Sequence, residues 1–232
     1  MRAKGFTDCP IWIGLRMFFD GMPGDWKPMP LAQATQRFDI AEASDDSVYL
    51  EDLFGDEPQH FYVHTGDIEA DGPLVLGNGP GEDEDTVYVV DGDLTVNGPV
   101  SFLNMDIYTS LYVTGSLKAR DLICLWDSCL FIGGSLHIDQ LLATALTDAG
   151  HLVVKKTVFA QAWLDDCDRG AIYFDDIQVP RRIGASGNSY LGADHPIESR
   201  SATVRPEYFG ESGELDMFRL RTALIQGLPV LR

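Results

Sequence analysis

The chain has 232 residues, room for one large domain or a core with two small flanks, and its 45% hydrophobic and 10% aromatic content is that of a folded protein. Its formal charge of -19 is unevenly spread: residues 1–37 carry five basic and three acidic groups, residues 38–117 eighteen Asp or Glu and no Lys or Arg, and residues 118–232 twelve basic and fifteen acidic groups. Such a field opposes the phosphate neutralisation that drives binding to nucleic acid or anionic membrane, so neither is an expected partner; it either serves solubility or draws in a basic protein.

The amino terminus, MRAKGFTDCPIWIGLRMFF, makes a poor signal peptide, because Asp8 and Pro10 interrupt it and no small-residue cleavage site follows. No stretch approaches the roughly 18 apolar residues of a membrane span. Cysteines stand at 9, 124, 129 and 167 without a C-x-x-C pair, which is no disulfide framework. A cytoplasmic protein with reduced thiols is expected. Residues 1–60, rich in Pro, Met and aromatics, are expected to form an N-terminal cap region, with Asp45–Phe54 as a short helix or strand–turn.

From residue 61 to residue 180 one short word recurs. Gly66-Asp-Ile-Glu-Ala-Asp-Gly-Pro-Leu74 matches Gly92-Asp-Leu-Thr-Val-Asn-Gly-Pro-Val100. Gly115-Ser-Leu-Lys-Ala-Arg-Asp-Leu122 and Gly134-Ser-Leu-His-Ile-Asp-Gln-Leu141 keep the frame without Gly-Pro, and Lys156–Ala160 and Asp175–Val179 are degraded copies. The aligned apolar residues are Ile68, Leu94, Leu117, Leu136, Val158 and Ile177, spaced by 26, 23, 19, 22 and 19. Two residues on come Ala70, Val96, Ala119, Ile138, Ala160 and Val179, and between them Glu69, Thr95, Lys118, His137, Phe159 and Gln178. This alternation predicts strands with one side chain inward and the next outward. A repeat of about 20 residues cannot bury its own apolar face, so the copies must stack. The expected fold is mainly β: an irregular right-handed β-solenoid with a capping N-terminal region and a C-terminal amphipathic helix. Antiparallel hairpins in a sandwich are the competing arrangement.

The last region, 181–232, opens with a loop, Ile183-Gly-Ala-Ser-Gly-Asn-Ser189. Residues 214–226 follow as a helix, with Ser212 as a cap, Leu215, Phe218, Leu224 and Ile225 near one face and Gly227 as the stop. It is expected to close the second end of the solenoid.

The catalytic inventory is thin. His60 and His64 share a strand face but spacing suggests no third metal ligand, so no metal and no cofactor are expected. Cys124 and Cys129 read as buried thiols. Asp165-Asp-Cys-Asp168 lacks the length and closing Glu of an EF-hand loop. Gly77-Asn-Gly-Pro-Gly81 runs into Glu82-Asp-Glu-Asp85, the wrong field for a phosphate cradle. His137 alone is weak grounds for a general base. A binding protein rather than an enzyme is expected.

The G-D-L-T-V-N-G rhythm resembles the core of bactofilins, the polymer-forming bacterial cytoskeletal proteins, best over residues 62–140. That resemblance implies a β-solenoid and, as one alternative, a self-assembling scaffold. The acidic composition and the segment ELDMFRLRTALIQGLPVL resemble the immunity proteins encoded beside bacterial polymorphic toxins. That second resemblance implies a non-catalytic inhibitor that binds one toxin domain. The expected contact residues are the projecting acidic loop Glu82, Asp83, Glu84 and Asp85, with Asp56 and Glu57 behind.

Overall fold

The structure is a computed structural model, and it describes residues 22–38, 60–77, 86–105, 109–147, 149–167, 169–184 and 196–232. It is a mainly β protein, a β-solenoid of about five turns with a few short helices.

Each full turn has three sides. The first is lined by β2 (His60–Thr65), β5 (Thr86–Asp91), β8 (Thr109–Val113), β11 (Cys129–Ile132) and the front halves of β14 (His151–Phe159) and β16 (Ala171–Gln178). The second is lined by β3 (Ile68–Ala70), β6 (Leu94–Val96), β9 (Leu117–Ala119), β12 (Leu136–Ile138) and the rear halves of β14 and β16. The third is lined by β4 (Leu74–Gly77), β7 (Pro99–Asn104), β10 (Asp121–Trp126), β13 (Leu141–Leu146), β15 (Ala162–Asp165), β17 (Arg181–Gly184) and β18 (Ile197–Ser199). Every ladder on these sides is parallel, as a coil that advances one rung per turn requires, and not antiparallel as a hairpin sandwich would be.

The repeat word is the ladder register. Ile68 pairs with Leu94, Leu94 with Leu117, Leu117 with Leu136, Leu136 with Val158 and Val158 with Ile177. Its glycines are set by rung spacing: a Cβ on Gly92, Gly115 or Gly134 would lie 2.5–2.7 Å from the carbonyl oxygen of the corner glycine one turn earlier. The residue after each glycine ties the corner together. Asp67 Oδ1 accepts the N–H of Asp93 (2.8 Å), Asp93 Oδ1 that of Ser116 (2.7 Å), and Ser116 Oγ that of Ser135 (3.1 Å). At the next corner Gly72 and Gly98 stack so closely that a Cβ on either would meet the other's Cα at 2.5–2.7 Å, which accounts for the glycine of the Gly-Pro pair in both copies.

The inward residues form one continuous core. It contains the stacked rings of Tyr62 and Tyr88 (5.6 Å), the ladder Leu74, Val100, Leu122, Leu142, Trp163, and Leu76, Phe102 and Cys124. Toward the last rungs this interior turns polar. Thr144 and Asp165 continue the Cys124 row, bonded to each other at 3.0 Å, and Arg182 follows Trp163. At the first rung the end is closed by the flank. Strand β1 (Lys27–Met29) pairs antiparallel with β2, while Met22 and Trp26 pack on the inner core, Trp26 standing edge-on to Tyr88 at 5.7 Å.

The two flanks also cover two of the three sides. Helix α1 (Leu31–Arg37) and Phe38 set Ala34 and Phe38 among the outward residues of the first side, Phe61, Val63, Val87 and Val89. The C-terminal segment, with α2 (Arg200–Thr203), a single 3-10 turn and α3 (Met217–Ile225), covers the outward Leu103, Ile123, Leu125, Ala143 and Leu164 of the third side. The C-terminal helix expected from sequence is therefore present, but it lies along the flank and does not close the second end. Outward residues of β7, β10, β13 and β15 are apolar and need covering, and that draws the helix sideways. Its cap is Asp216, whose Oδ1 accepts the N–H of Phe218 and Arg219, in place of Ser212. The stop is as expected, with Gly227 at φ +70°. The third side runs past residue 180, ending in β18.

Candidate functional site

The candidate loop Glu82–Asp85 joins β4 to β5 and lies outside the described residues, as do Asp56, Glu57 and the segment Asp45–Phe54. Most of the other residues singled out by sequence have structural partners. His64 Nδ1 accepts the backbone N–H of Asp25 at 2.9 Å and lies 6.0 Å from the Trp26 ring, so it holds the N-terminal cap, while His60 is exposed at the start of β2.

Burial pushes the thiols of Cys124 and Cys129 up to about 12, and raises that of Cys167 as well. A protonated, buried thiol is neither nucleophile nor metal ligand. Asp165 is buried and accepts from Thr144 Oγ1 and from the N–H of Cys167. Asp166 is raised by burial, partly offset by its ion pair with Arg200. Asp168 lies outside the described residues. Among the described residues no group of three or more His, Cys, Asp or Glu could hold a metal ion, and no helix is long and apolar enough to cross a membrane.

What sets one surface apart is the difference between the three sides. The outward residues of the first and third are mostly apolar and mostly buried, many of them beneath the flanks. Those of the second are Glu69, Thr95, Lys118, His137, Phe159 and Gln178, each partly or fully exposed and stacked in register. The charge on it is graded. Asp67, Glu69, Asp71 and Asp93 are exposed on the first two rungs, where Asn97 Nδ2 donates to Glu69 Oε1 (3.2 Å) and Asp71 Oδ1 (3.5 Å). Lys118 follows on the third rung, and on the next two the rings of His137 and Phe159 stack at 4.7 Å and 9°.

Along the corner between the second and third sides runs a groove of about 500 Å³. Its walls include Gln140, Gln161 and Pro180 from the corner, Leu141 and Ala162 from the third side, and Leu228, Pro229 and Leu231 from the tail. Arg120 fixes the tail here: Nη2 donates to the carbonyl of Leu224 (2.9 Å) and Nε to Asp121 Oδ2 (2.7 Å). Sequence reasoning had placed the row of outward residues correctly on strands, yet missed this groove. One signal was present: PVSFLN, DLICLW and LLATAL are nearly unbroken apolar runs, the mark of strands buried on both faces.

Comparison with protein-family models, with curated proteins and with solved structures finds no match to this chain.

Proposed function

We propose that the chain is a non-catalytic acidic immunity protein, which binds a bacterial polymorphic toxin in the cytoplasm and neutralises it. The support is the placement of charge on the solenoid. The first two rungs, residues 60–104, lie wholly within the block that has eighteen acidic and no basic residues. A basic toxin surface would be steered to that end, with charged pairs setting on-rate and salt dependence. The loop Glu82–Asp85, with Asp56 and Glu57, is assigned to this steering.

The bactofilin-like scaffold is the second reading, and the parallel, in-register repeat favours it. Against it stands β1, which occupies the free edge of the first rung in antiparallel pairing that a following copy would need. The experiment is co-expression with the product of the gene that lies beside this one, scored by rescue of growth and by assay of that purified product. Rescue and stoichiometric inhibition are expected. A toxin equally active with and without this protein overturns the proposal, and sedimentation as long polymers would favour the scaffold. Charge reversal at residues 82–85 that leaves binding unchanged at low and high salt removes the loop from the contact surface.

A further inference from the structure

We infer that the second side of the solenoid, which no described residue covers, is with the corner groove beside it the docking surface for a protein partner whose facing surface is basic and presents an apolar side chain to the groove. The inference rests on the immunity reading for the identity of that partner, and adds where on this chain it sits.

Three observations converge on this surface. First, among the described residues the flanks pack on the other two sides, and none of them covers the second side on any rung. Its short parallel strands hold their outward side chains in fixed rows, so little conformational entropy is lost when a partner settles on them.

Second, it joins a charged part on the first rungs to an aromatic and apolar part on the later ones, the two kinds of surface that an interface combines. Phe159 is half-buried against His137, a rigid aromatic platform in the later rungs. Beside it the groove is walled by Leu228, which is 50% exposed and is, among the described residues, the one large apolar side chain left open to solvent. The groove is large enough for an aliphatic or aromatic side chain, and Gln140 and Gln161 on its rim offer amides to a partner's backbone.

Third, the charge chooses the partner's sign. Asp67, Glu69, Asp71 and Asp93 stand exposed on the first two rungs, whose strands β3 and β6 carry no base, while Arg37 at the adjoining corner is held by Asp91. One oxygen each of Asp67 and Asp93 is engaged by a backbone N–H, which fixes the direction in which the carboxylates point. An acidic or nucleic-acid partner would meet this field unfavourably. A second copy of this chain laid face to face would oppose acid to acid.

The test uses the full chain and the protein encoded by the neighbouring gene, with binding measured by calorimetry and the surface mapped by hydrogen–deuterium exchange. Glu69→Lys with Asp71→Lys should weaken binding about tenfold at low salt, with the loss shrinking as salt is raised. Leu228→Asp and Phe159→Ser should each weaken it about thirtyfold, the scale of interface hot spots. All three are surface changes, and unchanged melting temperatures will show that the fold is retained.

Protection confined to β6, β9, β12 and the 228–231 tail supports the assignment. Full-affinity binding by all three variants, or protection on the covered sides alone, overturns it and leaves the immunity function standing. Tight binding through this side without inhibition supports the surface and overturns the immunity function. Absence of any binding by the neighbouring protein overturns both.

Discussion

Replacing Gly115 by Ala tests the account of the corner directly. Rungs in a β-ladder lie about 4.8 Å apart, and the added Cβ would sit 2.7 Å from the carbonyl oxygen of Gly92 and 2.1 Å from Asp93 Oδ1. The carboxylate can swing away, but only by giving up the N–H of Ser116, which it accepts at 2.7 Å. Carbonyl and Cβ can separate only if the rungs spread, which lengthens the 2.9 Å bond from Gly115 N–H to that same oxygen. Overpacking of this kind costs about 1–3 kcal/mol, and two weakened hydrogen bonds about 1 kcal/mol each. Against that, Ala restricts the unfolded chain and returns about 0.4–1 kcal/mol. The net expectation is a loss of about 2–4 kcal/mol. For a chain of this length that corresponds to roughly 5–15 °C in melting temperature. Thermal and urea denaturation followed by circular dichroism measures it, and Gly134→Ala should behave alike. Gly210→Ala is the control, since its Cβ meets nothing closer than 3.8 Å. A Gly115→Ala protein that melts within about 2 °C of the parent would refute the claim that rung spacing selects glycine.

Other expectations concern the covers and the interior. Arg221 is 1% exposed beneath α3, with Nε bonded to Ser101 Oγ at 2.7 Å and Nη2 without a partner, and burial pulls its guanidinium below the usual range. Arg221→Met should therefore be neutral or stabilising by about 1–2 kcal/mol in urea unfolding, and a loss above that size would contradict the desolvation argument. Asp216→Ala should cost about 1 kcal/mol through the lost cap of α3, with faster amide exchange at Phe218 and Arg219 as its local signature. Asp166 has a raised folded pKa, mainly from burial, so the native state holds its proton more tightly than the unfolded chain. The contribution of Asp166 to stability is then largest at acid pH and declines as pH rises above 3.8. Relative to Asp166→Asn, the parent should lose stability as pH rises from 3.8 through the raised folded value, and a parallel pair of pH profiles would remove that assignment. Cys124 and Cys129, with thiols near 12, should react with a disulfide reagent only as fast as the protein unfolds.

The ladder was legible in the sequence because its cause is local and repeats. All six aligned apolar residues, Ile68 to Ile177, pair in one unbroken register, even where Lys156–Ala160 had lost the glycine corner. There β14 runs straight through the corner, and a shift of register between Val154 and Thr157 in its pairing with β16 replaces the turn. The C-terminal helix was legible for the same reason, though its buried face is built on Met217, Leu220, Ala223 and Leu224 more than on Phe218 and Ile225. Its position was not legible, since an amphipathic period says that a stripe is buried and not against what. The pairing of Arg120 with the Leu224 carbonyl spans 104 residues and leaves no local trace. Nor does the closing of the first end by Met22 and Trp26, which depends on where a non-repeating segment happens to fold back.

The cover over the third side has a consequence for synthesis. Leu103, Ile123, Leu125 and Leu164 are laid out on the rungs long before Met217, Leu220 and Leu224 leave the ribosome to shield them. Forty-one residues separate Gly184, the end of β17, from Ile225, the end of α3. At about 5–20 residues per second the nascent coil therefore carries a bare oily flank for roughly 2–8 s. During that interval it is a natural client for chaperones, and a stop codon placed ahead of Met217 would leave every copy permanently in that adhesive state.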